Sequence, residues 1–194
     1  MDGILSVYKE GGCTSFDVIR RLRGILSERR IGHAGTLDPM AEGVLLVCVG
    51  RATKLLSEIG GTEKVYETEL LLGITTDTED ITGKLLSESE VKTTEEELKE
   101  LLSTMLGEQE QIPPMYSAKR VGGRRLYELA REGKVVERKP CSIVIHEIEI
   151  LKLELPKLRL RVRCGKGTYI RTLCADIGRK LGCGAVMTAL KRTR

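Results

Sequence analysis

Tryptophan is absent from this chain, phenylalanine occurs once and tyrosine five times. So few rings cannot build the row of stacking platforms on which sequence-tolerant single-strand binders rely. Histidine is as scarce, with only His33 and His146, and this argues against a histidine-based metal centre. The cysteines (Cys13, Cys48, Cys141, Cys164, Cys174 and Cys183) form no Cys-x-x-Cys pair. They read as free, mostly buried thiols rather than a disulfide framework or a zinc site. No apolar run approaches the roughly 20 residues of a membrane span. The start, Met1-Asp2-Gly3-Ile4-Leu5-Ser6, lacks the basic-then-apolar order of a secretory leader. The expectation is a soluble cytoplasmic protein with no membrane contact.

What is present is a globular composition, 41% hydrophobic and 31% charged over 194 residues, enough for one sizeable core. No repeat, low-complexity tract or linker divides it, so residues 1–194 read as a single domain. The net charge of +4 conceals a strong asymmetry. Residues 58–110 carry 15 acidic and 4 basic side chains, whereas residues 157–194 carry 11 basic side chains and only Asp176 as an acid. A basic block of this kind suits a polyanion such as nucleic acid, or is simply a solvated strand-and-helix face.

Periodicity gives a coarse map. Strands are expected at 4–8, 43–50, 65–72, 142–155 and 157–164, with Pro156 at the turn of the last pair. Helices are expected from Ser15, as a possible cap, to about Leu26, at 53–59, after the Thr94/Glu97 capping pattern, at 124–131 and at 168–181. Pro113-Pro114 reads as the stop of the helix that begins near Thr94, and 75–83 as a polar loop. Strands and helices alternate without a βαβ rhythm, so the expected class is α+β around an extended, mixed sheet.

One decapeptide stands out: Ile31-Gly32-His33-Ala34-Gly35-Thr36-Leu37-Asp38-Pro39-Met40. Proline disfavours the α region for the residue before it, so Asp38 should be held extended. A carboxylate displayed on a fixed loop is what a nucleophile or base requires; a turn-forming aspartate beside Gly and Pro is the plainer alternative. Gly165-Lys166-Gly167-Thr168-Tyr169-Ile170-Arg171 follows a strand and opens a helix, a place where backbone can meet phosphate, although Tyr169 and Arg171 could equally be packing and surface residues. Tyr66, at a strand start, is either a half-buried strand tyrosine or a stacking surface for a base. Asp77, Glu79 and Asp80 could mimic a metal cluster or tie down a polar turn.

Several of these segments, in order, resemble one family. Gly32 to Pro39, Lys64-Val65-Tyr66, Thr76-Asp77-Thr78 with Asp80 and Gly83, Gln111-Ile112-Pro113-Pro114-Met115-Tyr116-Ser117-Ala118, Gly165 to Arg171 and Leu181 to Ala185 are similar to the motifs of TruB-type tRNA pseudouridine synthases. The proline-bearing segment looks like the bacterial stand-alone branch. The resemblance implies the pseudouridine synthase fold, an extended and mostly antiparallel sheet flanked by helices. It also implies isomerisation of the T-loop uridine of tRNA (position 55) to pseudouridine, with no cofactor, metal, guide RNA or obligate protein partner, in a monomer that recognises the T-arm stem-loop. Asp38 would be the nucleophile acting on a flipped-out nucleotide. Tyr66 would stack on the uracil, and Tyr169 would pack beside it and assist loss of the C5 proton. Arg171 would pair with Asp38, and His33 would replace a stacking contact in the opened loop. Lys9 and Leu190 would complete the substrate site, and the basic C-terminal block would hold phosphates.

Two features depart from the family pattern. Its usual Lys-Pro near the N-terminus is Lys9-Glu10 in this chain, and the family normally continues past the position of Arg194 into a small RNA-binding domain, so this reads as a catalytic domain truncated at its C-terminus. Two competing readings stand beside the synthase: a non-catalytic tRNA-binding or tRNA-folding module, and a metal-dependent hydrolase built on Asp77, Glu79 and Asp80.

Overall fold

The computed structural model describes residues 1–194. They divide into two compact units, Met1–Glu67 with Ala189–Arg194, and Thr68–Thr188.

The first unit opens with β1 (Gly3–Lys9), α1 (Ser15–Leu26), β2 (Ile31–Ala34) and β3 (Glu42–Val49). A 3-10 turn (Gly50–Leu55) leads into the short α2 (Leu56–Ile59) and then β4 (Lys64–Leu72), which begins in this unit. β1 and β2 both pair antiparallel with β3, and the end of β12 (Ala185–Arg192) pairs with it in parallel, Lys191 opposite Glu42. The helix expected at 53–59 is therefore a 3-10 turn for its first half. α1 lays Val18, Ile19, Leu22 and Leu26 over Leu5, Val7, Ile31, Leu45, Val47 and Val49, the apolar faces of the helix and strands. Its cap is Thr14 rather than Ser15: Thr14 and Asp17 exchange the reciprocal bonds of a capping box. That frees Ser15 for the contact described below.

The second unit adds β5 (Ile74–Thr76), β6 (Leu85–Glu88), α3 (Glu95–Thr104), β7 (Gly107–Gln111), β8 (Arg120–Val121), β9 (Arg124–Arg125) and α4 (Leu126–Arg131). β10 (Cys141–Glu154), β11 (Lys157–Cys164) and α5 (Ile170–Lys180) follow. Its long strands lie in the order β4, β11, β10, β7. Thr94 and Glu97 cap α3 as their spacing predicts. The prolines do not end that helix: it stops at Thr104, Gly107 turns the chain at φ 85°, and β7 intervenes before Pro113. The helix expected from Arg124 begins at Leu126, because Arg124–Arg125 form β9 against β8.

β11 alternates as its sequence implies. Leu158, Leu160, Val162 and Cys164 are buried, and the intervening Arg161 and Arg163 face Glu149 and Glu147, their cross-strand neighbours, at 2.7 and 3.3 Å. Arg179 pairs with Asp176, and Arg171 and Arg192 are buried. The basic C-terminal block is thus not one phosphate-facing surface, because strand pairing and burial take several of its charges elsewhere.

Candidate active site

Asp38 stands in the connection between β2 and β3, and the first unit grips that connection along its length. Asp38 C=O accepts from Ala41 N–H at 3.1 Å, closing a turn with Pro39 at its second position, where the fixed φ of proline fits. On the inner side, Leu37 is buried and clasped twice by Ser15: its N–H donates to Ser15 Oγ at 2.9 Å, and its C=O accepts from the same hydroxyl at 3.1 Å. Gly12 N–H donates to Pro39 C=O at 2.8 Å.

Lys9 is 0% exposed, and its ammonium donates to the carbonyls of Ala41 (2.6 Å), Glu10 (2.8 Å) and Pro39 (3.3 Å). Burial lowers its pKa, while the acidic groups around it, Asp38 among them, work in the opposite direction. Lys9, expected to contact substrate, therefore lies beneath the loop and holds its backbone.

Arg192 braces both ends of the same connection. Its Nη2 donates to Gly35 C=O at 3.0 Å and its Nε to Val44 C=O at 2.7 Å, with the residue 3% exposed. Gly43 has φ 112°, and a Cβ there would fall 2.1 Å from the Arg192 carbonyl oxygen, so glycine is required. A planar fork that reaches two carbonyls is an arginine property. Neither Ser15 nor Arg192 was legible as a loop brace from sequence, because nothing local marks a contact across more than 20 positions.

His33 lies on β2 opposite Val47. Its Nδ1 is buried without a hydrogen-bond partner. Burial, and then the positive charge of Arg192, push its pKa below the usual value of 6.5, so the ring is neutral at pH 7. Tyr66 on β4 and Leu190 on β12 are both buried. Lys9, His33, Asp38, Tyr66 and Leu190 all belong to the first unit, and Tyr169 and Arg171 to the second.

In the second unit, Tyr169 is the residue that enters α5, extended at φ −98° and ψ 109°. Arg171, one residue into the helix, is 5% exposed. Its Nη1 donates to Thr78 C=O at 3.0 Å and faces Asp80 Oδ2 at 3.5 Å, and its Nη2 donates to Tyr116 C=O at 2.8 Å. Asp80 Oδ1 accepts from Thr78 Oγ1, Thr82 N–H and Thr82 Oγ1 at 2.9, 3.0 and 2.6 Å. Asp77 Oδ1 accepts from Lys84 N–H at 2.7 Å, and Glu79 Oε2 from Thr172 Oγ1 at 2.6 Å. These acids order a loop and seat an arginine; they do not converge as metal ligands. The loop needs Gly83, since a Cβ there would lie 2.2 Å from Thr78 Oγ1.

The family model for the N-terminal domain of TruB family pseudouridylate synthases matches residues 23–170, and that for the tRNA pseudouridylate synthase B C-terminal domain matches residues 171–194. This chain belongs to the TruB family. It is similar to the tRNA pseudouridine synthase B of Clostridium kluyveri, with 52% identity over 99% of this chain and 66% of that protein. It is 51% identical to that of Clostridium novyi (100% and 67%) and 49% identical to that of Protochlamydia amoebophila (100% and 74%). The chain thus spans about two thirds of the length of the first two relatives, 66% and 67%. Among solved structures, a Cbf5-Nop10-Gar1 complex matches at TM-score 0.76 and 30% identity, over 99% of this chain and 48% of that one. An H/ACA RNP bound to a substrate RNA containing 2'-deoxyuridine matches at 0.72 and 26%, over 99% and 47%. These two structural matches agree with the α+β fold, a mixed and mostly antiparallel sheet flanked by helices. No helix of the chain is long and apolar enough to cross a membrane.

Proposed function

We propose that this chain isomerises the T-loop uridine of tRNA to pseudouridine, with Asp38 as the nucleophile and the T-arm stem-loop as the recognised element. The observation that carries the reading is the bracing of the Asp38 connection by Lys9, Ser15 and Arg192. Side chains of three distant segments immobilise one carboxylate-bearing turn, and such preorganisation is what covalent catalysis needs and what an ordinary surface turn does not.

The target nucleotide leaves the stack so that its ring becomes accessible. Asp38 attacks either C6 of the uracil or C1′ of the ribose, and the C1′–N1 bond breaks. The base turns in place, C5 bonds to C1′, the bond to Asp38 breaks and returns the free carboxylate, and the C5 proton departs while N1 gains one. Tyr66 and Leu190 line the base, Tyr169 packs beside it and assists the proton's departure, and Arg171 supplies the counter-charge to Asp38. His33, neutral at pH 7, takes a stacking place in the opened loop, while Lys9 serves from beneath. The reaction as written needs no cofactor, guide RNA or second protein, and tRNA substrate places it in the cytoplasm.

The test is incubation of the chain with a T-arm hairpin and with whole tRNA, followed by carbodiimide-dependent reverse-transcription mapping. A single new stop at the T-loop uridine is the expected result. Binding of either RNA with no stop at high protein concentration would favour the non-catalytic RNA-binding reading instead.

A further inference from the structure

Gln111 ends β7 and is 3% exposed. Its carboxamide faces the backbone of Tyr169: Oε1 accepts from Tyr169 N–H at 2.8 Å, and Nε2 donates to Tyr169 C=O at 3.0 Å. One side chain thereby reproduces the paired bonds that an antiparallel strand neighbour would make. Among side chains of this length only glutamine supplies both functions, since an ionised glutamate only accepts and a lysine only donates. Tyr169 has reason to need it. The residue enters α5 with no side-chain capping bond, and its carbonyl already accepts the first helical bond, from Leu173 N–H at 3.0 Å.

Gln111 is also one end of a strut. Its other end is the Tyr116 carbonyl that accepts from Arg171 at 2.8 Å. Pro113 and Pro114 lie between the two anchors, and their locked φ removes slack from the connection. We infer that Gln111 is a positioning residue for Tyr169, and that the proline-stiffened run from Gln111 to Tyr116 fixes Tyr169 and Arg171 relative to each other. The inference rests on the reading of those two residues as parts of the active site.

Gln111→Leu removes both bonds, and Gln111→Glu keeps the length while turning the donor into a second acceptor. The chain, labelled with 3-fluorotyrosine, is followed by 19F NMR, with the Tyr169 resonance assigned through Tyr169→Phe. Single-turnover conversion and hairpin affinity are measured on the same samples. The expected result is a displaced Tyr169 resonance in both variants, with the rate lowered about tenfold or more while affinity stays within about threefold. A variant with the parent's melting temperature, an unmoved Tyr169 resonance and a rate within about twofold of the parent overturns the inference. Should Gln111→Leu fail to fold, the isosteric Gln111→Glu carries the decision. Should the parent form no pseudouridine, the functional reading falls while the resonance still decides whether Gln111 sets Tyr169.

Discussion

Deleting one oxygen atom, in Ser15→Ala, sets the clasp on Leu37 against the ordinary role of a serine at a helix start. As an N-cap, Ser15 would cost about 1 kcal/mol on truncation and leave chemistry untouched. In the structure it clasps Leu37 by both its N–H and its C=O, at 2.9 and 3.1 Å, and Leu37 is buried. Truncation strands both backbone groups, each worth about 1–3 kcal/mol when left unsatisfied, while the better helix propensity of alanine returns only ~0.5 kcal/mol. The expected loss is about 2–5 kcal/mol, or roughly 5–15 °C in melting temperature for a chain of this size. Asp38 follows Leu37 directly, so the turnover rate on a T-arm hairpin, at a temperature where the variant remains folded, should fall about tenfold or more. Urea denaturation and single-turnover kinetics measure the two effects. A loss near 1 kcal/mol with an unchanged rate would refute the clasp and restore the cap.

Three further substitutions give testable outcomes. Arg192→Lys keeps the charge but loses the fork, so one head must choose between Gly35 and Val44; we expect a loss of about 1–3 kcal/mol and a rate about tenfold lower, read by urea midpoint and single-turnover kinetics. Arg192→Gln should also raise the His33 pKa, read by imidazole NMR titration, and no change there would contradict the proximity of the two groups. Burial raises the pKa of Glu79 above its ordinary 4.5, Thr172 and Arg171 opposing and Asp176 adding. The folded state then binds this proton more tightly, so the stability it contributes is complete below 4.5 and is lost as pH rises through the raised folded value. Glu79→Gln, which still accepts from Thr172, should match the parent in acid and melt higher than the parent at neutral pH. Parallel melting curves across the range would contradict it.

Much of the local architecture was legible because local rules govern it. The capping pattern of Thr94 and Glu97 and the alternation along β11 both depend on near neighbours. What stayed hidden depends on distant ones. Ser15 and Thr14 are both good caps, and only the presence of Leu37, 22 positions away, decides which hydroxyl is free for other work. β12, Ala-Val-Met-Thr-Ala-Leu-Lys-Arg, has neither alternation nor β-branched enrichment, and its end is tied by pairing of Lys191 and Arg192 with the distant Glu42 and Gly43 of β3. The two prolines looked like a helix stop, but their neighbours Gln111 and Tyr116 are bonded to Tyr169 and Arg171. Charge counting overstated the basic surface for the same reason: Glu147 and Glu149 face Arg163 and Arg161 only once β10 and β11 align. The Asp38 motif was visible, whereas the braces that give it meaning were not.

Release of tritium from C5-labelled uridine in tRNA compares the parent chain directly with Asp38→Asn, which has nearly the same shape and lacks the nucleophile. With Asp38 as the nucleophile, the parent releases label from the T-loop uridine, while the variant binds the same tRNA and releases none above background. Sustained release by Asp38→Asn at the parent's rate would contradict that role.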